Sequence, residues 1–166
     1  LNGLEKDLIL ALIQKGYAVV APDYEGLGNN NVAHPYLNLT SAAQSILFAV
    51  LEVNKKYDNL SKDGSVIGWS QGGHAALAAA EFNKALVGYN FKGTVAIAPA
   101  SYLADTLDLG MAVANQTATD GDVPKAISIG AALYSYTAIV SSGIKAEKTS
   151  FNYNQAFLDK KVPEVL

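Results

Sequence analysis

The stretch that decides the fold is residues 68–74, which read Gly68-Trp69-Ser70-Gln71-Gly72-Gly73-His74. The apolar run just before it, Ser65 to Trp69, predicts a short buried strand. The Ala-rich stretch from Gln71 to about Leu86 predicts a helix. The Gly-x-Ser-x-Gly pattern therefore lies at a strand-to-helix turn. At such a turn the two glycines around the serine have a structural consequence.

A serine at so sharp a turn is forced into a strained backbone conformation that lifts its hydroxyl above the sheet edge. We expect Gly68 and Gly72 to leave room that side chains would fill, and Gly73 to let the helix approach the sheet. The Gln71 amide then points to the same place from a helix N-terminus, where negative charge is favoured. The segment contains no dinucleotide-binding Gly-x-Gly-x-x-Gly motif and no P-loop Gly-Lys-Ser/Thr.

Working outward, the first hundred residues alternate between helix and strand patterns. Helices are predicted from Leu4 to Ile13 and from near Ser41, where Gln44 offers a capping-box partner. The other two predicted strands are 17–21 and 94–98, each ended by a proline. This alternation predicts an α/β fold with a parallel sheet flanked by helices, in which polar residues after each strand share one edge.

The alternation ends after Ser101, and residues 105–115, 124–140 and 152–161 all have helical patterns. We therefore predict a core segment over residues 1–100, with three strands, and a helical segment over residues 101–166. The uncharged stretch Ala126 to Ile144 contains many hydroxyl groups and two glycines. Because those residues lower its hydrophobicity, a buried or interfacial helix is favoured over a stable membrane span.

Composition limits the function classes. The 166 residues, half of them hydrophobic, are enough for one domain with a real core. All twelve basic residues are lysines and the net charge is −3, so the chain lacks the arginine forks typical of nucleic-acid binders. The absence of cysteine excludes thiolate metal sites and cysteine nucleophiles, and we expect no metal and no cofactor.

Three motifs together resemble the secreted lipase and esterase branch of the α/β-hydrolases. They occur in the family's order over about residues 3–105, and they are Gly16-Tyr17 into Ala21-Pro22-Asp23-Tyr24-Glu25-Gly26-Leu27-Gly28, then His34-Pro35-Tyr36-Leu37, then residues 68–74. The resemblance implies a partial α/β-hydrolase fold with a helical cap or lid after residue 100. It also implies a secreted or periplasmic enzyme of lipid degradation that hydrolyses lipid-like or small acyl esters.

By that resemblance Ser70 is the nucleophile and Gln71 donates one oxyanion hydrogen bond. Tyr24 and Trp69 flank the acyl site, although Trp69 could equally face the core. Asp23 is expected to hold its loop through backbone amides rather than to act in catalysis.

The resemblance also reveals a departure. The family order is Ser, then Asp or Glu, then His, but the only histidines are His34 and His74. His34 is expected to hold its loop, and His74 to be structural on the helix after Ser70. The acid, the base and the second oxyanion donor are therefore expected from flanking sequence or another chain. As an isolated polypeptide, this chain, which starts at Leu1 within a helical pattern, is expected to be inactive.

Two alternatives remain open. A serine peptidase of the same fold has a similar turn, although peptidases that bind charged chain ends often use arginine, which is absent here. A binding protein that kept the fold and lost its triad is the non-enzymatic alternative.

Overall fold

The computed structural model describes residues 3–29 and 31–153. In chain order, its elements are α1 (Leu4–Gln14), α2 (Leu39–Lys56), β1 (Asp63–Trp69), α3 (Gln71–Phe82), a short 3₁₀ helix (Asn83–Ala85), β2 (Asn90–Ile97), α4 (Leu103–Thr119) and α5 (Val123–Glu147). The chain is thus an α/β protein, as the alternating pattern predicts.

Strands β1 and β2 form a two-stranded parallel sheet. Gly68 lies opposite Ala96, and Trp69 lies opposite Ile97, so both strands end at the same level. The connection between them is α3, as expected for parallel neighbours, which need a crossover. Ser70 follows the end of β1 directly and begins that crossover.

The prediction of a strand at residues 17–21 is wrong. The segment has no strand structure, and all five of its residues are exposed. Its β-branched residues favour an extended backbone, but a strand is stable only when its amides and carbonyls pair with a neighbour. The two strands pair only with each other among the described residues, so segment 17–21 has no partner. It lines an apolar groove of about 550 Å³ that also includes Ile13, Val53, Tyr57 and Leu60.

The core lies between α2 and α3 and is built mainly from alanine. Its buried members are Ala42, Ala43, Leu47, Ala75, Ala78, Ala79 and Leu86. Small side chains on both helices allow their backbones to approach closely. Helix α3 in turn packs on the sheet, where the Thr94 hydroxyl donates a hydrogen bond to the Ala76 carbonyl at 3.1 Å.

The opposite face of the sheet is uncovered among the described residues. Ile67, Trp69, Val95 and Ile97 alternate with the α3-facing residues and are all exposed, Trp69 by 58%. Alternation along a strand places such residues on one face. Trp69 therefore does not face the core formed by α2 and α3.

Several predicted boundaries change. Helix α2 begins earlier, at Leu39, and its cap is Asn38, whose side-chain oxygen accepts a hydrogen bond from the Ser41 amide at 2.8 Å. Ser41 is inside the helix, and its hydroxyl donates to Glu25 instead of capping. Helix α3 ends at Phe82, before the predicted Leu86, and β2 starts at Asn90 and stops at Ile97.

The two predicted helices at 105–115 and 124–140 are confirmed and are longer than predicted. Helices α4 and α5 pack against each other, and a side chain at Gly110 would collide with Leu133. Most of the predicted helix at 152–161 lies outside the described residues. By length and composition alone, α5 is the one described helix that could cross a membrane. A long apolar helix of this kind is weak evidence for a span.

Candidate active site

Ser70 has the strained backbone that the motif predicts. Its φ is +55° and its ψ is −116°, a region that L-residues rarely adopt. The Ser70 carbonyl accepts hydrogen bonds from the His74 amide at 3.0 Å and from the Ala100 amide at 3.3 Å. Ser70 is therefore hydrogen-bonded both to the first turn of α3 and to the segment that follows β2.

The glycines around Ser70 make this turn possible. A Cβ at Gly68 would overlap the backbone carbonyl of Gly72, so the first glycine of the motif is a steric requirement. A Cβ at Gly73 would lie 2.9 Å from the Ile97 carbonyl oxygen and 3.0 Å from the Cα of Pro99, so Gly73 sets how closely α3 approaches β2. At Gly72 a Cβ would meet only the Tyr24 hydroxyl, at 3.8 Å. Gly72 is therefore not sterically required in the way that we expected.

Gln71 is the first residue of α3, so its amide has no carbonyl partner within the helix. The amides of the first helical turn carry the positive end of the helix dipole. They are a favourable environment for negative charge beside Ser70.

The side chain of Gln71 contacts the loop before α2. Its Nε2 donates a hydrogen bond to Nε2 of His34 at 2.7 Å. The other ring nitrogen of His34, Nδ1, donates to the backbone carbonyl of Glu25 at 2.7 Å. Both ring nitrogens are thus occupied, which makes His34 a structural link between its own loop and the start of α3.

Tyr24 also reaches this region. Its ring lies 5.9 Å from the ring of His34, centroid to centroid, and its hydroxyl lies near Gly72. Partial burial raises the pKa of the Tyr24 phenol, so the phenol stays protonated and can donate a hydrogen bond.

Asp23 is placed differently from the other predicted residues. It is exposed, and its carboxylate accepts no hydrogen bond from the residues that the structure describes. The hydrogen bond from a side chain to the backbone at Glu25 comes from the His34 ring. The sequence predicts that His34 holds its loop, but nothing in the sequence pattern indicates its hydrogen bond to Gln71, because the two residues are 37 positions apart.

His74 is on α3, one turn after Ser70. Its Nδ1 is buried without a hydrogen-bond partner among the described residues, and burial lowers its pKa. Asp105 and Asp108 are on α4, and Asp122 caps α5 by accepting a hydrogen bond from the Lys125 amide. Within the described residues, no group of three or more His, Asp or Glu side chains could hold a metal ion.

Two comparisons with known proteins give matches for this chain. A putative hydrolase from Legionella pneumophila has a similar structure, with a TM-score of 0.61 and 22% sequence identity. The similarity covers 90% of this chain but only 38% of that protein, so the chain spans less than two fifths of its length. No curated protein matches the chain. The family model for secretory lipases matches residues 1–142, and the chain therefore belongs to the secretory lipase family.

Proposed function

We propose that the protein is a serine ester hydrolase with Ser70 as its nucleophile. The observation that carries this proposal is the positive φ of Ser70 at a strand-to-helix turn that Gly68 makes sterically possible. Strained backbone of this kind persists only where the surrounding structure enforces it, and it is concentrated at functional sites. Membership of the secretory lipase family supports hydrolysis as the reaction class.

The reaction would proceed through an acyl-enzyme. Ser70 Oγ attacks the ester carbonyl while a general base takes its proton, and the carbonyl electrons move onto oxygen. The Gln71 amide donates a hydrogen bond to that oxyanion, and one such donor is worth about 10²- to 10³-fold in kcat. Collapse of the intermediate breaks the bond to the alcohol, which leaves with the proton. Water then attacks the acyl-enzyme by the same route and releases the acid and free Ser70.

We propose that neither histidine is the base. His34 uses both ring nitrogens in contacts with Gln71 and Glu25, and His74 has a buried Nδ1 on the helix that follows Ser70. We therefore propose that the base, its acidic partner and a second oxyanion donor come from flanking sequence or from another chain. The unpaired segment 17–21 supports a larger sheet in the whole protein, and the uncovered sheet face supports a further layer packed against it.

Helices α4 and α5 are proposed to form the cap over an apolar acyl pocket. A side chain at Gly143 would overlap the backbone carbonyl of Tyr36, so α5 packs directly on the loop that carries His34. Leu109, Met111 and Ile127 are exposed on this helical pair and could contact an acyl chain. Because α5 packs on both α4 and this loop, we favour a cap helix over a membrane span. Tyr24 and Trp69 are proposed to line the pocket.

The substrate is proposed to be a lipid-like or small acyl ester, and the family suggests a secreted protein. We propose a secreted or periplasmic location, with no nucleic-acid partner and no metal or cofactor. The alternatives, a serine peptidase or a binding protein without a triad, are outcomes of the same experiment.

A fluorophosphonate probe tests the proposal on the complete protein. We expect the probe to label Ser70, and Ser70→Ala to lose both labelling and turnover of p-nitrophenyl esters. Labelling or ester turnover that survives in Ser70→Ala contradicts the assignment. Faster cleavage of aminoacyl amides than of esters would favour the peptidase, and the absence of both labelling and turnover would favour the binding protein.

A further inference from the structure

The most informative contact outside the strained turn is the one between Gln71 and His34. The side-chain amide of Gln71 donates a hydrogen bond to Nε2 of His34. Nε2 of the imidazole is therefore unprotonated, and the ring proton is on Nδ1. This tautomer matches the second contact, in which Nδ1 donates to the Glu25 carbonyl at 2.7 Å. The imidazole therefore joins the first residue of α3 to the backbone of the loop that precedes α2.

The loop that holds His34 is itself tightly restrained. A Cβ at Gly26 would lie 2.8 Å from both the His34 amide nitrogen and the Val32 carbonyl oxygen, so the two sides of the loop touch. The Glu25 carboxylate accepts a hydrogen bond from the Ser41 hydroxyl at 2.6 Å, which ties the loop to α2. The rings of Tyr24 and Tyr36 lie 5.9 and 6.0 Å from the His34 ring.

These contacts matter for the residue next to Ser70. The main-chain N–H of Gln71 is the proposed oxyanion donor, and its direction depends on the backbone of residues 70 and 71. The Ser70 backbone is strained, and a strained turn relaxes unless neighbouring contacts hold it. His34 is 37 positions away from Gln71 in the sequence. Its hydrogen bond to the Gln71 side chain therefore restrains this backbone from outside α3.

We propose that His34 is a positioning residue for ester hydrolysis. Through its hydrogen bond to the Gln71 side chain, it holds the main-chain N–H of Gln71 in the direction that binds the oxyanion. This inference rests on the function proposed above. His34 touches neither the ester nor the reacting atoms, and it acts only through Gln71.

The test uses ester kinetics of the complete protein. In His34→Phe, we expect kcat to fall about 10- to 100-fold while KM changes by less than about threefold, because only transition-state binding is lost. Gln71→Met removes the same contact from the other end and keeps the main-chain amide and the helix propensity. We expect a similar loss from it, and a double variant that is no worse than either single one.

Two conservative variants separate positioning from a purely structural role. The carbonyl of a glutamine at position 34 can reach the place of Nε2 and accept from Gln71, whereas an asparagine reaches only the place of Nδ1 and can donate to Glu25. We expect His34→Gln to keep most of kcat and His34→Asn to lose it, whichever variant is the more stable. Asn29→Ala is the matched control: it breaks a hydrogen bond within the same loop, to the Asn31 amide, and should leave kcat unchanged.

The outcomes are distinct. If His34→Gln loses as much kcat as His34→Asn, or if His34→Phe and Gln71→Met both keep wild-type kcat, His34 does not position the main-chain amide of Gln71. If Ser70→Ala abolishes turnover in that same experiment, the proposed function stands while this inference fails. If Ser70→Ala keeps turnover, both fall. Should His34→Phe not fold, Gln71→Met and the Gln and Asn variants decide the matter.

Discussion

The Ser70 amide donates a hydrogen bond to the Ile97 carbonyl at 3.0 Å, which ties the strained turn after β1 to the last residue of β2. The Ala100 amide returns a hydrogen bond to the Ser70 carbonyl. The turn is therefore part of the sheet edge, and its geometry depends on both strands. Changes that alter this edge should affect stability and activity together, and changes elsewhere should separate the two.

Gly68→Ala should destabilise the protein and abolish activity. The added methyl would overlap the Gly72 carbonyl, which is backbone and cannot move without opening the turn. We expect a loss of about 3 kcal/mol in the free energy of unfolding. Denaturant titration measures it, and Gly64→Ala is the matched control, since the space around Gly64 in the same strand is open. Equal stabilities for the two variants would contradict the steric role of Gly68.

Ser70→Gly and Ser70→Ala should both be inactive but should differ in stability. Glycine adopts a φ of +55° without strain, whereas alanine keeps the strain of serine. We expect Ser70→Gly to be more stable than Ser70→Ala by about 1 kcal/mol, after the larger entropy of glycine in the unfolded chain is subtracted. Thermal unfolding of the two variants checks this. A glycine variant that is the less stable of the two would show that the turn is not strained.

Gly143→Ala should loosen the contact between α5 and the loop of His34. The methyl group would overlap the Tyr36 carbonyl, and we expect a loss of about 2 kcal/mol in unfolding free energy. Gly130→Ala in the same helix points into open space and should instead stabilise the protein by about 0.5–1 kcal/mol. Opposite signs in the two melting temperatures are the expected result. A neutral Gly143→Ala would mean that α5 does not pack on this loop in solution.

His74 should make stability fall in mild acid. Burial lowers its pKa, so the folded state binds a proton at His74 more weakly than the unfolded state does. Its contribution is therefore complete above the ordinary pKa of 6.5 and is lost as the pH falls through the lowered folded value. Melting temperatures at about pH 7.5 and about pH 5 should differ less in His74→Leu than in the wild type. An unchanged difference would assign the acid sensitivity to other groups.

The elements nearest to Ser70 could be predicted from the sequence because their signals are local. The strand–turn–helix order depends on apolar runs, alanine content and glycine positions within about twenty residues, and all of these act on neighbouring backbone. The family motifs indicated a secreted lipase family, and the match of the secretory lipase model over residues 1–142 confirms that resemblance. The sequence pattern places the cap of α2 at Ser41, three residues after the observed cap Asn38, because both are good capping residues and only the fold selects one.

The failed strand at 17–21 shows the limit of such reasoning. Its residues have the composition of a buried strand, but strand structure requires hydrogen-bond partners from another part of the chain, and propensity does not supply them. Asp23 is a similar case: its type suits a loop-holding role, but the structure exposes it and uses His34 instead.

What the sequence determined by itself was the turn around Ser70, because a glycine two residues before the serine and an Ala-rich helix after it are constraints between near neighbours. Only the tertiary structure decided what holds that turn in place. The contacts from Ser70 to Ile97, from Gln71 to His34 and from Gly143 to Tyr36 join residues 27, 37 and 107 positions apart. Such pairs meet only after the chain has folded, since their geometry depends on how α3, β2 and α5 pack and not on the preferences of the residues themselves.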